Sequence, residues 1–207
     1  IEKTDLWKFF NTIKPIIGQP DYDMGYKFTP NVNKIWIKEN KNRVKINNYG
    51  IHDYEIKDSD KRIVITGNSM VEALQVELKY NFENLTEENL KKFYTNMQIN
   101  NLAMSGHGPL RQLVMLEIYG YPLKPDLSIM FIPMSEFISN DILDDSYNPA
   151  YKVLENKVTR SFAYRERNQI KLLNNYFYNT ALFLIREIST IRMIYFLSKR
   201  NLNDLLG

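Results

Sequence analysis

Apolar and polar positions alternate along the chain in two rhythms. From Asn33 to Asn48 the run NKIWIKENKNRVKINN sets Ile35, Ile37, Val44 and Ile46 at every second position. This predicts two short strands joined at Glu39 to Asn42. KDSDKR (57–62) is a polar turn, and RIVIT (62–66) after it is a β-branched run bounded by Gly67, as in a strand buried on both faces. A helix is expected over Leu85 to Met97. Asn84 or Thr86 would cap it, Glu87 and Glu88 fall in its first turn, and Leu85, Leu90 and Phe93 share one side.

INNLAM (99–104) reads as a second strand. GPLRQLVMLEIYG (108–120) reads as a helix with Pro109 at its first position, Leu110, Leu113, Val114 and Ile118 on one face, and Gly120 beyond its end. DLSIMFIP (126–133) is a third strand, expected to be buried. Strand–helix–strand–helix–strand at roughly 30 residues per unit predicts a parallel sheet with helices on both faces. Ligands in such sheets sit beyond the carboxyl ends of the strands, so the residues after the three strands are the positions to inspect.

Past Pro133 the regularity fades. YKVLENKVT (151–159) predicts a small hairpin turning at Glu155-Asn156, and from Gln169 to about Lys199 the spacing is helical, with breaks near Asn174 and Ser189. That last segment suits a helix packed on the body of the protein, or a membrane-surface or substrate lid. The division expected is a β-rich extension over 1–60 and an α/β unit over 61–207, whose helical part covers about 165–207.

Composition narrows the function classes. A chain of 207 residues buries roughly 70% of its unfolded surface, enough for a sizeable core. With 44% hydrophobic and 25% charged residues it is globular in type. A net charge of +3 is too weak to imply a nucleic-acid partner, and the Lys/Asn-rich hairpin reads as a solvated lysine face or as a patch for nucleic acid or anionic lipid. There is no cysteine, which excludes disulfides, thiolate metal sites and a cysteine nucleophile. Leu172 to Ile185 is the longest charge-free apolar-leaning run near the C-terminus, short of the ~20 residues a bilayer requires. The chain opens Ile-Glu-Lys-Thr, and the expectation is that a natural N-terminus, with any targeting segment, precedes it.

Each strand end carries chemistry with a plain alternative. Gly67-Asn68-Ser69 leaves the first strand; its serine is a nucleophile beside N–H groups suited to an oxyanion, or a helix cap. NLAMSGHGP (101–109) leaves the second, with Gly106 and Gly108 allowing close approach of a ligand, or serving an ordinary loop. SEFISNDIL (135–143) follows the third; Asn140 is an amide donor or turn chemistry.

Taken together, in the order Ser, Gly, Asn at one sheet edge, these blocks resemble the SGNH (GDSL-type) hydrolases. Gly67-Asn68-Ser69 is similar to their Gly-Asp-Ser block, Asn101 and Gly106 to their second block, and Asn140-Asp141 to the Gly-x-Asn-Asp-like third. INNYGIHDYEI (46–56), EALQVELKYNF (72–82), GHGPLRQLVMLE (106–117) and Lys124-Pro125-Asp126 resemble a bacterial branch of the family, and the likeness covers about residues 46–145. It implies a three-layer, flavodoxin-like parallel α/β sheet. It further implies Ser69 as nucleophile, and an oxyanion hole of the Ser69 and Gly106 N–H groups and the Asn140 side chain. The implied activity is ester hydrolysis, or acyl transfer to a sugar hydroxyl, on a small-molecule or carbohydrate ester, without cofactor or metal. A bacterial envelope or extracytoplasmic setting goes with it.

The sequence departs from that pattern in three places. Asn68 replaces the usual Asp, Ser139 stands where Gly often precedes the asparagine, and the Asp-x-x-His block that supplies the base is absent. Of the two histidines, His52 is expected on the N-terminal surface and His107 near the substrate pocket. The expectation is a hydrolase portion ending before strands four and five. The alternative from another class is a carbohydrate- or partner-binding module that keeps the pocket without the base.

Overall fold

The structure, a computed structural model, describes residues 17–36, 42–134, 150–154, 157–166, 168–188 and 191. Two antiparallel pairs come first: β1 (Gly18–Asp21) with β2 (Gly25–Phe28), and β3 (Asn33–Trp36) with β4 (Asn42–Lys45). The second pair is the hairpin that the alternation predicts. Asp21 Oδ1 tightens the β1–β2 turn by accepting the Asp23 and Met24 N–H groups at 3.0 and 2.8 Å.

The centre is a parallel sheet of β5 (Lys61–Thr66), β6 (Met97–Asn101) and β7 (Leu127–Met130), in the order β6-β5-β7. Between β5 and β6 lie α1 (Ser69–Glu72), a 3-10 turn at Leu78–Tyr80 and α2 (Phe82–Leu90). Between β6 and β7 lies α3 (Pro109–Met115), continued by a wider π-type turn at Leu116–Gly120 and a 3-10 turn at Tyr121–Leu123. β8 (Ala150–Leu154) and β9 (Lys157–Ser161) form the expected hairpin. A 3-10 turn at Ala163–Glu166, α4 (Asn168–Lys171), a 3-10 turn at Leu172–Asn174 and α5 (Tyr176–Glu187) follow. No helix among the described residues is long and apolar enough to cross a membrane.

Period-two alternation on β5 explains the layers. Ile63 and Ile65 pack with Val71, Leu90 and Ile99 on one face. Val64 packs with Leu102, Val114, Met115 and Leu116 on the other. Each face is thus covered by helix, and the mixed α/β architecture follows from a strand apolar on both sides. Gly120 packs closely on this face: a Cβ there would lie 2.6 Å from Leu116 Cδ1 and 3.3 Å from Val64 Cγ1, so those side chains would have to shift.

The N-terminal hairpins share core with this sheet. Met24 and Ile51 join the cluster on the Val64 face, and Ile17, Phe28, Val32, Val44 and Ile46 pack with Leu74 and Met104. Tyr164 ties in the later part of the chain: it is fully buried, with its hydroxyl 2.7 and 2.6 Å from the Tyr22 and Asp23 carbonyl oxygens. Beside it the Arg165 guanidinium sits between the Tyr22 and Phe162 rings, 4.0 and 3.9 Å from their centroids.

Several expectations need correction. α2 spans Phe82–Leu90, three residues early and ending well before Met97, with Asn81 at its N-cap. The Asn84 side chain instead donates to Leu78 O at 2.9 Å, closing the preceding turn. Leu85 and Phe93 are exposed, and the inward positions are Glu83, Asn84, Glu87 and Leu90. The reason lies at the edge of β6. There the Ile99 N–H donates to Glu87 Oε2 at 2.7 Å and the Asn101 N–H to Asp53 Oδ2 at 3.0 Å, so acidic side chains occupy the place of a further strand. β7, expected to be buried, is partly exposed, with Leu127 at 50%. Its described pairing is with β5 alone. On α3, Leu110 and Leu113 are half-buried while Val114 and Met115 are buried; in the wider turn after it Leu116 is buried and Ile118 half-buried.

Candidate active site

β5 and β6 run parallel, so the segments that leave them emerge at one end of the sheet. Their pairing continues past the strands: the Leu102 N–H donates to Ile65 O at 2.8 Å and the Met104 N–H to Gly67 O at 3.1 Å. Gly67 is the residue this bend permits. A Cβ on it would fall 2.5 Å from Val71 Cβ, so any side chain displaces α1.

Two residues on, the choice between cap and nucleophile acquires a geometry. The N-cap of α1 is Asn68, in extended conformation, and its side chain accepts the Met70 N–H at 3.0 Å. Ser69 is therefore the first helical residue, not the cap, and it is exposed. Among the described residues neither its hydroxyl nor its N–H has a hydrogen-bond partner. Asn68 thus does the capping with its amide oxygen.

α1 is four residues long because Ala73 takes a left-handed conformation, φ 50° and ψ 45°, and returns its N–H to Ser69 O. Three buried side chains hold the far end. Asn101 Nδ2 donates to Val71 O at 2.8 Å, His52 Nδ1 bonds Glu72 O at 2.9 Å, and Asn42 Nδ2 donates to Leu74 O at 3.0 Å. A carbonyl only accepts, so His52 carries its proton on Nδ1. The residue expected on the N-terminal surface is 1% exposed, and burial lowers its pKa. Its position is a correction: an imidazole there serves the backbone of α1.

Across from α1, Gly106 takes φ +79° with open space where a Cβ would stand. Its carbonyl accepts from Arg111 Nη1 at 2.7 Å, and its N–H has no partner among the described residues. Ser105, just before it, donates both N–H (3.0 Å) and hydroxyl to the buried Glu72 carboxylate. Glu72 also acts on Tyr26, whose phenol is pushed up to about 12 by burial and, secondarily, by that charge. Asn101, matched to the second sequence block, is consumed internally, since its Oδ1 accepts the Ala103 N–H at 3.0 Å.

His107 is buried, with Nδ1 unpartnered and the pKa pushed down to about 3 by desolvation, then by the Arg111 charge. No described hydrogen bond joins it to Ser69. Asn140, the third expected donor, lies outside the described residues. No group of three or more His, Asp or Glu among the described residues is placed to hold a metal ion.

Sequence reasoning overlooked Glu72 and Ser105, and with them Asn42. The signal was present in VEAL (71–74), where an acid interrupts an apolar run three residues after the serine. No family model, curated protein or solved structure matches this chain.

Proposed function

We propose that the chain carries the serine centre of an SGNH-type acyl-transfer enzyme, acting on a small-molecule or carbohydrate ester. In this reading Ser69 Oγ bonds to the acyl carbon and the ester C–O bond breaks. The serine proton leaves with the alcohol, and water, or a sugar hydroxyl, then cleaves the acyl-serine. The Ser69 and Gly106 N–H groups would hold the oxyanion, with Asn140 as the third donor.

One observation carries the reading. An exposed serine with unengaged hydroxyl and N–H stands at the first position of a helix, and a glycine with an unengaged N–H stands on the neighbouring loop. Had Ser69 been the cap, its oxygen would face its own helix. Direct labelling tests this. A fluorophosphonate probe should modify Ser69, located by peptide mapping, and Ser69→Ala should lose the label while keeping its melting temperature. Equal labelling of the alanine variant would sink the assignment.

The state of the histidines favours a second reading, a binding module of the same shape. His52 donates to a backbone carbonyl, and a buried imidazole with a pKa of about 3 is a poor acceptor for a serine proton. The two readings separate on labelling of Ser69.

A further inference from the structure

Glu72 lies three residues after Ser69 on the same four-residue helix, and it is 2% exposed. Its carboxylate crosses to the loop after β6, where Oε1 accepts the Ser105 N–H at 3.0 Å and Oε2 the Ser105 hydroxyl. Ser105 supplies the carbonyl half of the peptide whose N–H belongs to Gly106. Fixing two donors of Ser105 therefore restricts the direction of the Gly106 N–H.

Apart from Arg111 on the Gly106 carbonyl, these are the described hydrogen bonds of Ser105 and Gly106. Ser105 and Gly106 are both exposed, and Gly106 has no side chain to pack. The loop around them is further held by the Met104 N–H on Gly67 O and the His107 N–H on Met104 O, both at 3.1 Å, by Gln112 Nε2 on the His107 carbonyl at 3.1 Å, and by Arg111 on the Gly106 carbonyl. A leucine would fill the volume of Glu72 without desolvating a charge, but would give Ser105 no acceptor.

Resting on the reading of Ser69 as nucleophile, we infer that Glu72 is a positioning residue. It couples α1 to the Ser105–Gly106 loop so that the Ser69 and Gly106 N–H groups converge on one acyl oxygen. Its own carboxylate touches no substrate. The chemistry tolerates little error here, since a displacement of about 1 Å in a reacting constellation costs on the order of 10²-fold.

The test uses the 207-residue chain, with Glu72→Gln, Ser105→Ala and the double variant. Two readouts are taken: fluorophosphonate inactivation resolved into kinact and Ki, and amide exchange at Ser105 against Val64 and Ile99. Glu72→Gln should lower kinact by about 10–100-fold with Ki within about twofold. Ser105→Ala should lower it by a few-fold, and the double variant should be no worse than Glu72→Gln alone. Exchange should rise at Ser105 by about tenfold or more and stay unchanged in β5 and β6. A Glu72 that only stabilises the fold would lower the melting temperature and leave kinact of the folded protein intact, which overturns the proposal. If Glu72→Gln does not fold, an unchanged kinact in Ser105→Ala overturns it equally. If wild-type Ser69 takes no label, the enzyme reading fails separately. Exchange then decides the tether by itself, and an unaltered Ser105 rate refutes it.

Discussion

Asp53 should make the protein lose stability as pH rises above neutrality. Its carboxyl is 1% exposed. Burial pushes its pKa from 3.8 up to about 8. The Asn101 and Tyr54 N–H bonds pull the other way, and the Glu83 and Glu87 charges add to the rise. Between those two values the folded chain binds a proton that the unfolded chain has released, so stability falls with rising pH by about 1.4 kcal/mol per unit. Glu83 is raised too, chiefly by burial, and adds the same sign above 4.5. The histidines oppose this at lower pH. His52 and His107 are both lowered from 6.5, so the unfolded chain binds the extra protons below 6.5 and stability there rises with pH. Above 6.5 the unfolded histidines lose their remaining half charge within about one pH unit, an opposing rise that wild type and an Asp53 variant share, so the difference between the two isolates the Asp53 slope. From pH 6.5 to 8 it amounts to about 2 kcal/mol, or about 4–8 °C in melting temperature for a chain of this length. Urea titrations at half-unit steps, at fixed ionic strength, measure it against Asp53→Asn. That variant loses an acceptor, worth about 1 kcal/mol, and its profile should lack the Asp53 fall over this window. A flat wild-type profile, or an Asp53→Asn slope equal to wild type, would refute the buried-acid account.

Gly67→Ala should cost about 1–3 kcal/mol, because its Cβ would stand 2.5 Å from Val71 Cβ; an unchanged urea midpoint would show that α1 shifts freely. Turnover of p-nitrophenyl acetate by the 207-residue chain should be insensitive to His107→Ala. Robust hydrolysis that vanishes with His107→Ala would make that imidazole the base.

What could be read from the sequence divides along physical lines. The β5 strand, the parallel order of sheet segments, the 33–48 and 151–159 hairpins and Pro109 at the start of α3 rest on local rules, and the structure has them. These rules concern apolar periodicity and backbone stereochemistry, which neighbours in sequence settle. The same rules misplaced α2, because its inward stripe is Glu83, Asn84 and Glu87. No hydrophobic period marks a face on which Glu87 accepts an edge-strand N–H and Asn84 donates to the Leu78 carbonyl. His52 failed likewise. A histidine in a polar stretch reads as surface until the carbonyl it serves, twenty residues on, is known.

The strand ends were legible as positions but not as roles. Gly-Asn-Ser leaves it undecided which of two adjacent residues caps the helix, and the decision changes the chemistry. With Asn68 accepting the Met70 N–H, Ser69 keeps its oxygen for something outside the helix. Asn42, His52 and Asn101 come from three separate parts of the chain and converge on the Leu74, Glu72 and Val71 carbonyls at one short helix end. A four-residue helix gains little from its own hydrogen bonds, since nucleation consumes most of them. Its orientation must come from such side-chain donors, each buried and each costly to leave unpaired. The polar interior beneath α1 is therefore what fixes the direction of Ser69, and an apolar core of equal volume would not have done so.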